Sequence, residues 1–314
     1  MKYGFGVDLG GTSVKIAFFD ENGMMLDKWE IPTITANQGA QILPDIAVSV
    51  LNYLDKKSIS KEHIIGIGIG VPGPVDDSGN VNRCHNLGWG VFNIHTALGE
   101  LTGLPVKAGN DANMAALGEA WKGGGTGCDN MVLATFGTGV GGGIIINGRP
   151  INGVHGAAGE IGHLTLERDE TERCTCGKYG CVEQYCSATG IVRLAKKHLS
   201  ADSRESILRN SETLTCKDVF DAGNQGDALA LEVLEKVYNY IGQFLADVCC
   251  VTDPEVVVLG GGVSKAGQPL LKGAKRYFDK YIFHASSSTR FALATLGNDA
   301  GAYGAFKLIL TSQQ

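Results

Sequence analysis

The sequence contains no Gly-x-x-x-x-Gly-Lys-Ser/Thr segment, so it is not a P-loop nucleotide-binding protein. It has no run of lysine or arginine, and its 27 basic residues are outnumbered by 33 acidic ones, a net charge of −6. That balance argues against nucleic acid or an anionic membrane as the main partner. No stretch approaches the ~18 consecutive apolar residues of a membrane-spanning helix. Asp8 and Lys15 interrupt the apolar N-terminus and no small-residue cleavage site follows, so no secretory leader is expected. Proline is scarce, 8 in 314 residues, unlike the joint proline and glycine enrichment of collagen-like or disordered chains. Without a leader, the nine cysteines are not expected to form a disulfide framework, and a cytoplasmic protein is expected.

What the chain has in excess is glycine, 45 of 314 residues, roughly double the ~7% of average proteins. Its 44% apolar and 19% charged residues suit a globular protein with a sizeable core, in two domains or one large one. Residues 3–8, 14–19 and 24–31 read as strands, separated by the turns Leu9-Gly10-Gly11-Thr12 and Glu21-Asn22-Gly23. Residues 38–57 carry apolar side chains at the helical period, and Ile64–Val71 reads as a strand stopped by Pro72-Gly73-Pro74. A similar order returns with strands Met131–Phe136 and Val140–Ile146 around Gly137-Thr138-Gly139. Later come a helix over 228–250 and a buried strand over 255–259 ending in Gly260-Gly261-Gly262. This rough repeat predicts two α/β domains of related topology facing each other. The expected division is 1–118, joined by a C-terminal helix over 300–314, and 119–299.

Three glycine loops thus follow apolar strands, where α/β sheets place ligands and where unshielded N–H groups can cradle phosphate. Glycine's freedom in tight turns is a sufficient reason for any single loop. Gly68-x-Gly70-x-x-Gly73 and Gly137-x-Gly139-x-x-Gly142 match the dinucleotide pattern, but neither opens a helix, so that reading is rejected. Taken together, Asp8-Leu9-Gly10-Gly11-Thr12 and Gly137-Thr138-Gly139 could hold a triphosphate, with Asp8 orienting Mg²⁺ through water. A second cluster, Cys174-Thr175-Cys176-Gly177-Lys178-Tyr179-Gly180-Cys181, packs three thiols into eight residues, with His163 upstream. Three thiolates and one imidazole make a closed, structural Zn²⁺ shell. His163 is its most open ligand, because His155 is also near in sequence. Glu160 and Glu183 flank the cluster. Gly4 and Gly66 stand inside strands with no assigned part.

In this order, these motifs resemble the ROK family (repressor, open reading frame, kinase). The resemblance also rests on Gly70-Val71-Pro72-Gly73-Pro74, Asn110-Asp111-Ala112-Asn113, the run Gly137 to Gly143, and Gly159-Glu160-Ile161-Gly162-His163. It covers the chain almost end to end. Asn86-Leu87-Gly88-Trp89 and Glu183-Gln184-Tyr185 before Ser187-Ala188-Thr189-Gly190 are most similar to the glucokinases of that family. The resemblance implies a two-domain actin, hexokinase and Hsp70-like (ribonuclease H-like) α/β fold with a central nucleotide and sugar cleft. The implied activity is ATP-dependent phosphorylation of the 6-hydroxyl of glucose. N-acetylglucosamine, N-acetylmannosamine, mannose and fructose are the alternative substrates. Asp111 would be the catalytic base, although a helix N-cap is an equally physical use for it. Asn86, Asn110, Glu160, His163 and Glu183 would hold sugar hydroxyls. Gly10, Gly11, Thr12, Lys15, Gly137, Thr138 and Gly139 would surround the ATP phosphates, and Gly261 and Gly262 would approach the adenosine. His163, Cys174, Cys176 and Cys181 would bind zinc, and a homodimer or homotetramer is implied. A sugar-responsive repressor would need a winged helix-turn-helix, for which the first ten residues leave no room. A catalytically silent binding module is the third class, and the intact Asp111 speaks against it.

Overall fold

The computed structural model describes residues 1–312. Residues 313 and 314, counted in the expected C-terminal helix, lie outside the described residues. The chain divides into two compact units. The first comprises Met1–Asp129, Gly143–Gly159 and the chain from Leu296 onward; the second comprises Asn130–Gly142 and Glu160–Thr295.

In chain order the first unit begins with β1 (Tyr3–Leu9), β2 (Ser13–Asp20), β3 (Met25–Pro32), the one-turn α1 (Ala36–Gly39) and α2 (Ile42–Lys57). It continues with β4 (Ile64–Val71), β5 (Asn80–Cys84), β6 (Trp89–Asn93), α3 (Ile94–Thr102), β7 (Val106–Asn110) and α4 (Asp111–Lys122). There follow β8 (Met131–Phe136), β9 (Val140–Ile146), β10 (Arg149–Pro150), α5 (Glu183–Cys186), α6 (Ala188–Ala201), α7 (Cys216–Asn224) and α8 (Ala228–Thr252). The chain closes with β11 (Val256–Gly260), α9 (Gln268–Tyr281), β12 (Arg290–Leu293) and α10 (Ala300–Thr311). The helix expected over 38–57 starts at Ile42, because Asn37 and Gln38 adopt positive φ angles that break it.

The repeat seen in sequence is a repeat of topology. One sheet runs β3-β2-β1-β4-β7 and the other β10-β9-β8-β11-β12, so a meander followed by two further strands occurs twice. β1 pairs antiparallel with β2 and parallel with β4, and β4 pairs parallel with β7. In the second sheet β11 pairs parallel with both β8 and β12. The central strands are buried on both faces and read as near-continuous apolar runs, as Val256-Val257-Val258-Leu259 does.

In the first unit the sheet carries α10 directly on glycine. A Cβ on Gly6 would lie 2.0 Å from the carbonyl oxygen of Ala302, and one on Gly68 would lie 1.7 Å from that of Ala305. Gly4 and Gly66, unexplained in sequence, belong to the same contact: their missing side chains would meet Phe306 at 2.7 Å and Ile309 at 2.9 Å. Phe19 and Phe306 stack with centroids 4.7 Å apart above this glycine floor. Helices α4 and α10 cross as closely, since a Cβ on Gly304 would lie 1.7 Å from the carbonyl oxygen of Met114. Much of the glycine excess is therefore backbone packed on backbone, besides the turns. The core of the second unit is apolar, centred on Phe136, Phe244, Ile241 and Phe278. No helix among the described residues is long and apolar enough to cross a membrane.

Candidate active site

In the first unit, β7 delivers Asn110 and Asp111 to the start of α4. Asn110 is the N-cap: its side-chain oxygen accepts from the main-chain N–H groups of Ala112 at 3.0 Å and Asn113 at 3.2 Å. Capping thus falls to Asn110, one residue before Asp111. Asp111 stands in the first helical turn, where a carboxylate is favoured by the helix dipole, and its Oδ1 accepts from the Ala112 N–H at 2.8 Å. Asn110 also donates through Nδ2 to the carbonyl of Gly73 at 3.3 Å, tying the helix start to the Pro72-Gly73-Pro74 turn. The Cys84 thiol holds the same turn by donating to the Pro72 carbonyl at 2.8 Å. Burial, with the nearby Asp111 charge adding to it, pushes that thiol up. Asn86 is exposed on the short turn His85–Leu87 that follows.

Asp8 lies near the end of β1 and pairs with Lys15 at 3.3 Å. The start of α10 comes up against it: a Cβ on Gly301 would lie 2.8 Å from the carboxyl carbon of Asp8. A glycine there lets a helix N-terminus face a carboxylate, an arrangement the helix dipole favours. In the following turn the Gly10 N–H donates to the Ser13 carbonyl at 3.0 Å, and Thr33 donates to the Gly10 carbonyl at 2.7 Å. Gly11 and Thr12 are exposed, with open space where a Gly11 side chain would stand.

The second unit places its candidates around the turn between β8 and β9. The Gly137 N–H closes the turn onto the Gly139 carbonyl at 2.9 Å. The start of α6 supports it, with Ala188 N–H donating to the Gly137 carbonyl and Thr189 Oγ1 donating to that of Thr138, both at 2.8 Å. Glu183, at the start of α5, reaches the turn: its Oε2 accepts from the Val140 N–H at 3.3 Å, and a Cβ on Gly139 would lie 2.2 Å from that oxygen. Its Oε1 accepts from Thr175 Oγ1 at 2.9 Å and from the Cys174 thiol at 3.3 Å. Glu183 therefore bridges the cysteine cluster and the glycine turn. Gly261 and Gly262 are exposed just after β11; Gly261, at φ +80°, packs on the main chain of Phe136, and the space beside Gly262 is open.

One ligand atom from each of His163, Cys174, Cys176 and Cys181 falls in a group whose members all lie within 4.8 Å of one another. His155 is exposed and outside this group. Cys176 and Cys181 sulfurs are 3.6 Å apart, and Cys174 Sγ lies 3.8 Å from His163 Nδ1. A tetrahedral ion with bonds of ~2.3 Å to sulfur and ~2.0 Å to nitrogen sets sulfur–sulfur edges at ~3.8 Å and sulfur–nitrogen edges at ~3.5 Å, within ~0.3 Å of these two distances, so the donor set fits. The other ring nitrogen, Nε2, faces Glu160 at 3.9 Å, which would fix its role once Nδ1 is engaged. Burial and the neighbouring thiols push Cys181 up to about 12, so an ion must displace its proton on binding.

Neither Asn113 nor Asn152 has an assigned part in the sequence. Asn113, buried on α4, donates to Asn152 Oδ1 at 2.9 Å, and Asn152 donates to Asp77 at 2.7 Å. Its place in Asn110-Asp111-Ala112-Asn113 was the only signal available.

The family model of the ROK family matches residues 4–312. The chain belongs to the ROK family. This ROK chain is 45% identical to a glucokinase of Halalkalibacterium halodurans over 95% of its own length and 92% of the relative's. It is 34% identical to a glucokinase of Thermotoga maritima, covering 97% and 96% of the two chains. Among solved structures it is similar to a ROK family glucokinase from Streptomyces griseus in complex with glucose and AMPPNP, with a TM-score of 0.74, 32% identity and 98% of each chain covered. A ROK family transcriptional regulator, a homologue of the E. coli MLC protein, is similar at a TM-score of 0.85 and 25% identity, covering 98% of this ROK chain and 78% of that one. The fold alone therefore serves both kinases and regulators, and the site has to decide between them.

Proposed function

We propose that this chain is a glucokinase that transfers the γ-phosphoryl group of ATP to the 6-hydroxyl of glucose. The observation that carries the reading is Asp111 in the first turn of α4, capped by Asn110, in a chain 45% identical to a glucokinase. Phosphoryl transfer asks a protein mainly for positioning and charge stabilisation. Asp111 holds the 6-hydroxyl, aligns it with the phosphorus and takes its proton as the new bond forms. An alcohol is far less acidic than a carboxylic acid, so alignment precedes net proton transfer. Asn110, held to Gly73, and Asn86 add polar contacts to the sugar. Glu160, His163 and Glu183 offer acceptors and a ring nitrogen to its hydroxyls.

The phosphates are assigned to Gly10, Gly11, Thr12, Lys15, Gly137, Thr138 and Gly139. Gly261 and Gly262 are assigned to the adenosine. Mg²⁺, bound with ATP, would supply charge neutralisation on the phosphates, and Asp8 would orient it through water. Zn²⁺ is the ion assigned to His163, Cys174, Cys176 and Cys181, with a structural part only. The remaining proposals are a cytoplasmic homodimer or homotetramer, and two lobes divided near residues 118–119 with the C-terminal helix returning to the first. A panel of hexoses and N-acetylhexosamines ranked by kcat/KM in an ADP-release assay tests the reading. Glucose should lead with ATP as donor; the absence of ADP release with every sugar would overturn it.

A further inference from the structure

Between His163 and Cys174 the chain makes a loop whose two ends pair with the cysteine segment, Thr165 with Cys181 and Arg173 with Tyr179, and a second set of contacts fastens its middle. Glu170, with a side chain only 7% exposed, accepts from the Tyr185 hydroxyl at 2.5 Å and from Arg193 Nη2 at 2.8 Å. The other arm of the same guanidinium donates to Glu172 at 2.8 Å, and the guanidinium lies over the Tyr185 ring at 5.0 Å. Gln184 completes the fastening: Nε2 donates to the Glu172 carbonyl at 2.9 Å and Oε1 accepts from the Cys181 N–H at 3.1 Å. Burial alone would raise the Glu170 carboxyl, but the bonds from Tyr185 and Arg193 outweigh it and hold it at about 2. Glu170 is thus a buried carboxylate with its partners in place, a group that is expensive to bury otherwise.

Tyr185 and Gln184 sit on the same four-residue helix as Glu183. A helix that short has little stability of its own, so the placement of Glu183 depends on what holds its neighbours as well as on its own bonds to Val140, Cys174 and Thr175. From this geometry we infer that Glu170 and Arg193 form a clamp, separate from the cysteine cluster, that positions Glu183 for the sugar. Arginine suits the task because its fork serves both glutamates at once, which a lysine ammonium does less well. The inference rests on the assignment of Glu183 to sugar hydroxyls made above, and it makes Glu170, Tyr185 and Arg193 positioning residues.

The test compares Arg193→Gln, Tyr185→Phe, Glu183→Gln and Lys197→Ala, each assayed for glucose KM, ATP KM, kcat and bound zinc. Lys197 pairs with Glu172 at an exposed rim, with both side chains about half exposed, and should leave every quantity unchanged. Arg193→Gln should raise the glucose KM by ~10-fold or more and Tyr185→Phe by ~3-fold, the scale of losing hydrogen bonds to a charged group. ATP KM, kcat and zinc content should stay within about two-fold of the parent, a split that general destabilisation would not produce. If Arg193→Gln fails to fold, Tyr185→Phe carries the test. An unchanged glucose KM in the clamp variants, with a raised one in Glu183→Gln, overturns the clamp alone. Loss of zinc alongside the raised KM overturns its independence from the metal cluster. An unchanged KM in Glu183→Gln removes the sugar assignment, and the clamp falls with it.

Discussion

The two sheets share one strand order, yet the carboxylates beside their first hairpin turns arrive by different routes. Asp8 belongs to the strand that enters its turn, and its surroundings are a lysine across the hairpin and a helix start admitted by Gly301. Glu183 lies 43 residues beyond the Val140 N–H it meets, on a helix of four residues. The first carboxylate needs strand register and one glycine. The second rests on a cysteine and histidine cluster, a part-buried Glu170–Arg193 pair and a glycine at position 139 that leaves it room. A repeated topology therefore does not repeat the way its sites are built. The second unit has more separate points at which its site can be lost without loss of the sheet.

This contrast can be broken or sharpened by experiment. The largest effect is expected in the first unit: Asp111→Asn should lower kcat by ~10²–10⁴-fold while sugar still binds by calorimetry. Retention of most turnover would remove Asp111 from the chemistry and leave it a helix-start residue. Next, Gly68→Val would drive a side chain into the main chain of α10, where even a Cβ comes within 1.7 Å of an oxygen. Overpacking of this kind destabilises by ~1–3 kcal/mol or more and should lower Tm clearly. An unchanged Tm would mean that the helix does not rest on the glycine floor.

In the second unit, exhaustive chelation should weaken glucose binding by ~10-fold or more and lower Tm with it. Normal glucose affinity in verified metal-free protein would separate the cluster from the sugar. The smallest effect concerns acid. Glu170 is held at about 2 against an ordinary value of 4.5, so it contributes stability that is fully present above 4.5 and lost as pH falls through about 2. Urea midpoints at pH 6 and pH 3 should therefore differ more in the parent than in Glu170→Gln. Equal slopes would show that the carboxylate is not held in this way.

Much of this arrangement was legible in the residues. The strands at Ile64–Val71, Met131–Phe136 and Val140–Ile146 have the bounds that their apolar runs and glycine stops suggested. The spacing of Cys174, Cys176 and Cys181 identified a cluster that the fold gathers around His163. The glycine floor was not legible. Nothing around Gly4, Gly6, Gly66 or Gly68 tells that a helix starting at Ala300 will lie on them. The start of α2 was missed as well, since the positive φ angles of Asn37 and Gln38 depend on the loop they close. Glu170, Tyr185 and Arg193 carry no motif, because their bonds join positions 15 and 23 residues apart through folded main chain.

By itself the sequence determined the rough repeat, the family, the candidate chemistry and the make-up of the cysteine and histidine cluster. These are carried by local patterns: the period of apolar residues, the turn chemistry of glycine, and ligand types at short spacing. Only the tertiary structure decided which glycines are floor and which are turn, that Asn110 and not Asp111 caps α4, and what holds Glu183 in place. Each of those depends on atoms brought together from distant segments, and close packing and buried charge act only once those segments have met.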